Sequence, residues 1–124
     1  MSVRIVVPVV DMGGLSAELS EHFGRAPFFA VVEVGDDGSV LDHKTIPNDS
    51  EHFGGSGLPP HHILQLDPDV LITYGMGPRA LDIFQNARVA VLRATSNVVR
   101  DVIAAYHREE LEELTEGCRD ARHK

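Results

Sequence analysis

The chain has 124 residues, of which 43% are hydrophobic and one is cysteine, so it can bury a core as one domain but cannot form an internal disulfide. A formal net charge of −8 argues against nucleic acid as a partner, because phosphates would be repelled. The N-terminal apolar run is too short for a signal peptide or a membrane span. We therefore expect one cytoplasmic domain over residues 1–124, with no membrane partner.

The first predicted elements are strands. The β-branched run VRIVVPVV, residues 3–10, is typical of a strand buried on both faces, although Pro8 indicates a bulge or an unpaired position. Residues 26–47 contain two apolar stretches around the DDG sequence at 36–38, which predicts an antiparallel hairpin.

Helices and strands alternate in the second half. The prolines of LPPHHILQL, residues 58–66, fit the first turn of a helix. A strand at 68–75, a helix that begins at Pro78 and a strand at 88–94 follow. The last helix is predicted to start from Asn97 as its N-cap and to end at Gly117.

These elements predict an α/β fold with a core of about residues 3–107 and a charged C-terminal helix at 108–124. Helical crossovers favour parallel pairing of strands 1, 4 and 5, and the hairpin adds an antiparallel edge. The expected sheet is mixed and five-stranded, with order 3-2-1-4-5 and helices on both faces. Ligands of such sheets bind outside the carboxyl ends of the strands where the order reverses, here between strands 1 and 4.

One glycine motif follows the fourth strand. In YGMGPRA, Gly75, Gly77 and Ala80 fit the G-x-G-x-x-A pattern of dinucleotide-binding proteins, but that site also needs an acidic residue at the end of the next strand. No acidic residue lies between Asp82 and Asp101, so no nucleotide is expected. The helix N-terminus beside an arginine still suits an anion.

A second glycine motif, HFGGSG at 52–57, follows the third strand. Its glycines are compatible with a tight loop that has no function. They also leave the imidazole of His52 free of bulky neighbours. A serine-hydrolase elbow is excluded by spacing, because Leu58 stands where the second glycine is needed.

Three segments in order, SEHFGRAPFFAVVEV, EHFGGSG and ITYGMGPRA, resemble the dinitrogenase iron-molybdenum cofactor biosynthesis family. The resemblance extends from Val3 to about Cys118. It implies a ribonuclease-H-like three-layer fold. It also implies a non-enzymatic carrier that binds an iron-sulfur or iron-molybdenum cluster and has cofactor-assembly proteins as partners.

The resemblance also implies site residues. His52 is the leading metal ligand, and His22 and Cys118 are further candidates. The residues expected around the cluster come from all three motifs: His22, Arg25, Gly54, Gly55, Gly57, Gly75, Met76, Gly77 and Arg79. Many family members continue the second motif with a longer histidine- and glycine-rich run, whereas this chain continues with LPP, which argues against a multi-histidine site.

Two other functions stay open on the sequence. A metal-dependent phosphoesterase or nuclease would use carboxylates on this fold, and Asp11 and Glu33 could begin such a set. A third carboxylate is missing, because Thr73 and Tyr74 end the fourth strand. The chain could instead be a regulatory or partner-binding domain without a cofactor. The sequence leaves the oligomeric state open.

Overall fold

The computed structural model describes residues 2–23, 25–48 and 63–114. Its strands are β1 (Ser2–Val9), β2 (Phe28–Gly35), β3 (Val40–Pro47), β4 (Val70–Thr73) and β5 (Ala90–Arg93). Its helices are α1 (Pro78–Asn86) and α2 (Val99–His107), with a short 3₁₀ helix at Gly14–Ser16. The strand order β3-β2-β1-β4-β5 confirms the predicted sheet. β1 is antiparallel to β2 and parallel to β4.

The central strand β1 is buried on both faces, as its β-branched run predicts. Val7 and Val9 pack in the core on one face and Val6 in the core on the other, and all three are fully buried. The predicted bulge at Pro8 is wrong, because the β1–β2 register continues without a shift from Ser2 to Val9. The register shift of this sheet lies between β2 and β3.

α1 and α2 cover opposite faces of the sheet, which confirms the predicted layering. Leu81 and Phe84 of α1 join one buried cluster, and Val99 and Val102 of α2 join the other. α1 begins at Pro78, as predicted, because proline needs no amide hydrogen-bond partner in the first helical turn. None of the helices in the described ranges is long and apolar enough to cross a membrane.

The predicted extension of the last helix to Gly117 is wrong for residues 108–114, because α2 ends at His107. Glu109 adopts a left-handed backbone conformation with φ 59°. The amide of Glu110 then donates to the carbonyl of Ala105 at 3.0 Å, which closes the helix end with a reversal. The N-cap is Val98 rather than the predicted Asn97.

After this reversal the chain returns to the sheet and pairs with the outer edge of β5. Arg93 donates its amide to the carbonyl of Glu112, and Leu114 donates its amide to the carbonyl of Val91, both at 2.8 Å. The Leu114 side chain is buried. Burial of this leucine and the backbone hydrogen bonds to the edge strand β5 favour the extended path over further helical turns.

The predicted helix at 58–66 falls partly outside the described residues. Ile63 and Leu64 are helical and a turn follows them, in agreement with the end of that prediction. Ile63 is fully buried and Leu64 is half-buried, so the segment is anchored to the same core cluster as α1.

Candidate functional site

The three sequence motifs are attached to one edge of the sheet. Val9 at the end of β1 is the register partner of Phe28 at the start of β2, and Phe28 is the partner of Pro47 at the end of β3. The first motif leads into β2, the second follows β3 and the third follows β4. We call this side of the sheet, where β1, β3 and β4 end and β2 begins, the motif edge. The fold therefore brings the first and third motifs, and the start of the segment that leads to the second, to the same edge, although Ala26 and Gly75 are distant in sequence.

The first motif is anchored by an aromatic side chain. Phe23 is buried, and its ring lies 5.6 Å from that of Phe29 and 5.5 Å from that of Phe84, centroid to centroid. The neighbouring His22 and Arg25 are exposed. An imidazole and a guanidinium are thus presented to solvent at the motif edge from a segment that is fixed in the core.

The second motif begins from a well-held position. Asn48 donates its side-chain amide to the carbonyl of Ala26 at 2.8 Å and its backbone amide to that of Pro27 at 2.9 Å. These bonds hold the start of the segment that leads to the second motif against the end of the first motif. The predicted residues His52, Gly54, Gly55 and Gly57 of the second motif, and Cys118 near the C-terminus, lie outside the described residues.

The third motif forms the N-terminus of α1. Gly77 is exposed, and among the described residues other than its chain neighbours no atom lies within 4 Å of a Cβ atom built on it. Among the described residues no side chain caps this helix end, and its first turn contains no acidic residue. Exposed Arg79 adds a positive charge to the positive end of the helix dipole. This end of α1 suits an anion.

Two predicted members of this motif are not at the surface. Gly75 is buried, and Met76 is 5% exposed and packs in the α1-side core cluster. Methionine often fills gaps in apolar cores, and that role explains Met76 here. Burial argues against the predicted contact between the Met76 side chain and a ligand.

The crevice between β1 and β4 is filled by the chain itself. Residues 17–20, which we call the insert, pair with the β4-facing side of β1 through a bridge between Val9 and Leu19. On its other side the amide of Leu19 donates to the carbonyl of Asn97 at 2.9 Å. Ala17 and Leu19 are buried. A ligand at the motif edge therefore has to lie outside the crevice.

A cavity of about 410 Å³ opens beside the insert and has an acidic wall. Glu18, Leu19, Glu21, Tyr74 and Asn97 line it. Burial raises the pKa of Tyr74, and the negative charges of Glu18 and Glu21 raise it further. The same carboxylates would repel an anionic ligand from this wall, which leaves the N-terminus of α1 as the more favourable side of the motif edge.

The two carboxylates that could have begun a nuclease site are separated and already engaged. Asp11 accepts a hydrogen bond from the amide of Gly13 at 2.7 Å. Glu33 is paired with Arg4, whose hydrogen bond lowers the pKa of that carboxyl. Glu33 lies five residues along β2 from its motif-edge end, or about 17 Å. Within the described ranges, no three histidine, cysteine or acidic side chains are grouped so that they could hold a metal.

Sequence reasoning missed two polar residues that shape this edge, Asn48 and Ser20. Ser20 stands two positions before His22, a spacing at which serine often bonds to the backbone, so a signal was present. No local signal marks Asn48, because its partners Ala26 and Pro27 are more than twenty residues away in sequence.

The chain is similar to known proteins in sequence and in fold. Residues 3–109 match the family described as dinitrogenase iron-molybdenum cofactor. A NifB-like protein from Thermotoga is 27% identical, with a TM-score of 0.71 over 95% of this chain and 98% of its own. The apo form of the orange protein from Desulfovibrio gigas is 21% identical, with a TM-score of 0.78 over 94% of this chain and 96% of its own.

A dinitrogenase-like protein from Methanocaldococcus jannaschii is 16% identical, with a TM-score of 0.74 over 94% of this chain and 98% of its own. At this identity, as for the orange protein, the likeness shows the fold alone. No curated protein matches the sequence.

Proposed function

The chain belongs to the dinitrogenase iron-molybdenum cofactor family, and we propose that it is a non-enzymatic carrier or assembly accessory for an iron-sulfur or iron-molybdenum cluster. We also propose that its α/β fold is of the ribonuclease-H-like type. The observation that carries the functional proposal is that the first and third motifs lie at one edge of the sheet, beside the N-terminus of α1, and that the chain leads into the second motif from Asn48 at the same edge. A carrier needs a place for a bulky cluster, and within the described ranges no neighbouring atom covers the outer side of Gly77 at this edge.

The charges at the motif edge fit such a cargo. Metal-sulfur clusters are commonly anionic, and Arg25, Arg79 and the free end of α1 provide positive potential. Imidazole nitrogen and thiolate sulfur are suitable ligands for iron in clusters. His22 is exposed at this edge, and His52 follows four positions after Asn48, the last described residue before the second motif. We propose His52 as the leading ligand, with His22 and Cys118 as further candidates.

The nuclease alternative is less well supported, because Asp11 and Glu33 do not lie together. We expect no magnesium- or manganese-dependent phosphodiesterase activity above background. Metal-dependent turnover that disappears in Asp11→Asn protein would favour the alternative instead.

The direct test is anaerobic titration of isolated iron-molybdenum cofactor into the wild-type protein and His52→Ala. Binding is followed by the absorption of the cluster and by the iron and molybdenum that co-elute with protein in gel filtration. We expect at least tenfold weaker binding by His52→Ala, comparable to the effect of changes near a metal ligand.

His107→Ala is the matched control, because His107 lies against Gly38 in the β2–β3 turn, at the opposite edge of the sheet. Its affinity should equal that of the wild type, and circular dichroism confirms that each variant is folded. Equal affinity of wild type and His52→Ala would remove His52 from the site. Absence of binding by the wild type would refute a carrier function for the iron-molybdenum cofactor.

A further inference from the structure

We infer that Ser20 is a positioning residue that presents His22 at the motif edge. This inference rests on the proposed function for its consequence in cluster binding. Its structural part, the hold of Ser20 on His22, can be measured without any cluster.

Ser20 is itself firmly held. It is the last residue of the insert and only 5% of it is exposed, although its side chain is polar. Its amide donates to the carbonyl of Pro8 in β1 at 2.9 Å. The residue before it, Leu19, is fixed between Val9 and Asn97. The Ser20 hydroxyl therefore projects from a rigid part of the sheet.

This hydroxyl bonds to both backbone polar groups of His22. Its oxygen accepts a hydrogen bond from the amide of His22 at 3.2 Å, and its proton is donated to the carbonyl of the same residue at 3.0 Å. On the other side of His22, Phe23 is buried between two aromatic rings. The backbone of His22 is thus restrained from both sides.

The His22 side chain, in contrast, is exposed. A restrained backbone with an exposed imidazole is the arrangement expected of a ligand that is held ready before its partner arrives. Less conformational freedom is then lost on binding, and the affinity is higher.

The test of the cluster-dependent part is a double-mutant cycle. Isolated iron-molybdenum cofactor is titrated into wild type, Ser20→Ala, His22→Ala and the double variant under anaerobic conditions. We expect Ser20→Ala to weaken binding about tenfold, in the range seen for residues that orient metal ligands. In the His22→Ala background the same change should have no further effect, because the group that it positions is gone.

Two control variants separate positioning from general damage. Ser20→Thr keeps a hydroxyl and should restore most of the affinity. Ser39→Ala removes a serine hydroxyl that bonds to Asp37 at 2.7 Å in the β2–β3 turn, and it should bind like the wild type. An equal loss on Ser20→Ala with and without His22 would overturn the inference, because Ser20 would then act through another group.

The cluster-free part is read from amide hydrogen exchange by NMR. Ser20→Ala removes the acceptor of the His22 amide, so exchange at His22 should accelerate about tenfold while β1 amides stay unchanged. Unchanged exchange at His22 would overturn the inference whatever the cluster affinity. If wild type binds no cluster, the proposed function fails, and the exchange measurement alone decides whether Ser20 holds His22.

Discussion

Truncation of Phe23 tests whether the first motif is anchored by the core. The Phe23 ring is 4% exposed and packs edge-on against Phe84 and tilted against Phe29. Phenylalanine to alanine changes in such positions cost about 3–5 kcal/mol, which includes the cavity left behind. We therefore expect Phe23→Ala to lose about 4 kcal/mol of unfolding free energy, a large share of the stability of a small domain.

The loss converts to a measurable shift in melting temperature. A chain of 124 residues has an unfolding entropy of about 0.26 kcal/mol per kelvin near its melting point, so about 4 kcal/mol lowers Tm by about 15 °C. The assay is thermal and urea unfolding followed by circular dichroism at 222 nm. The m-value should stay close to that of the wild type if both states keep their compactness.

The matched control is Phe28→Ala, which removes the same atoms from a half-buried ring at the start of β2. Because part of that ring already contacts solvent, we expect about half the loss. A loss below about 2 kcal/mol for Phe23→Ala, or one equal to that of Phe28→Ala, would refute the anchoring of the first motif by the aromatic cluster.

Three further predictions follow from single residues. Arg88→Gly should raise the unfolding free energy, measured by urea titration, by about 0.5–1 kcal/mol, because Arg88 has a left-handed φ of 65° at the end of α1. Arg88→Ala should give no such gain, because alanine also has a Cβ atom. Arg79→Gln should weaken cluster binding and reduce its salt dependence, whereas Arg88→Gln, at the opposite end of α1, should change neither. Arg4 holds the pKa of Glu33 below its ordinary value of 4.5. The stability that this ion pair contributes is therefore fully present above pH 4.5, and it is lost as the pH falls through the lower pKa of Glu33 in the folded state. Glu33→Gln should therefore be less stable than wild type at neutral pH, and a stability difference that does not shrink in acid would contradict this account.

The parts of the fold that could be predicted carry local signals. The DDG turn predicts the β2–β3 hairpin, and Gly38 indeed has φ 87° there. Pro78 predicts the first turn of α1. The order of the strands follows from the right-handed crossovers that parallel strands require. The first two signals lie within a few residues of the feature that they predict, and the strand order follows once the elements themselves are recognised.

The end of α2 could not be predicted for a physical reason. Leu111 and Leu114 continue the helical spacing of apolar residues, so the sequence favours a longer helix. The reversal at Glu109 uses a left-handed conformation without the glycine that commonly marks it. The extended path is favoured by the edge of β5, which is distant in sequence.

In the candidate site, too, features with a local sequence signal could be predicted, and features that depend on distant residues could not. The motifs and their placement at the motif edge are accessible from the sequence, because they flank predicted strands. The insert is not, because its hydrogen bonds join residues near 9, 18 and 97, and no periodicity connects these segments. The burial of Met76 was missed for a related reason, since a methionine between two glycines carries no sign of which face of the loop it takes.

The insert decides where the proposed cargo can sit. In an open α/β sheet the crevice at the reversal of strand order would take up a ligand and enclose it. Here residues 17–20 occupy that crevice, and Glu18 and Glu21 make the adjacent wall negative. An anionic cluster is thereby directed outward, toward Arg79 and the N-terminus of α1. We propose that a cluster held there would be accessible to a second protein, because a carrier that hands its cargo on needs that access.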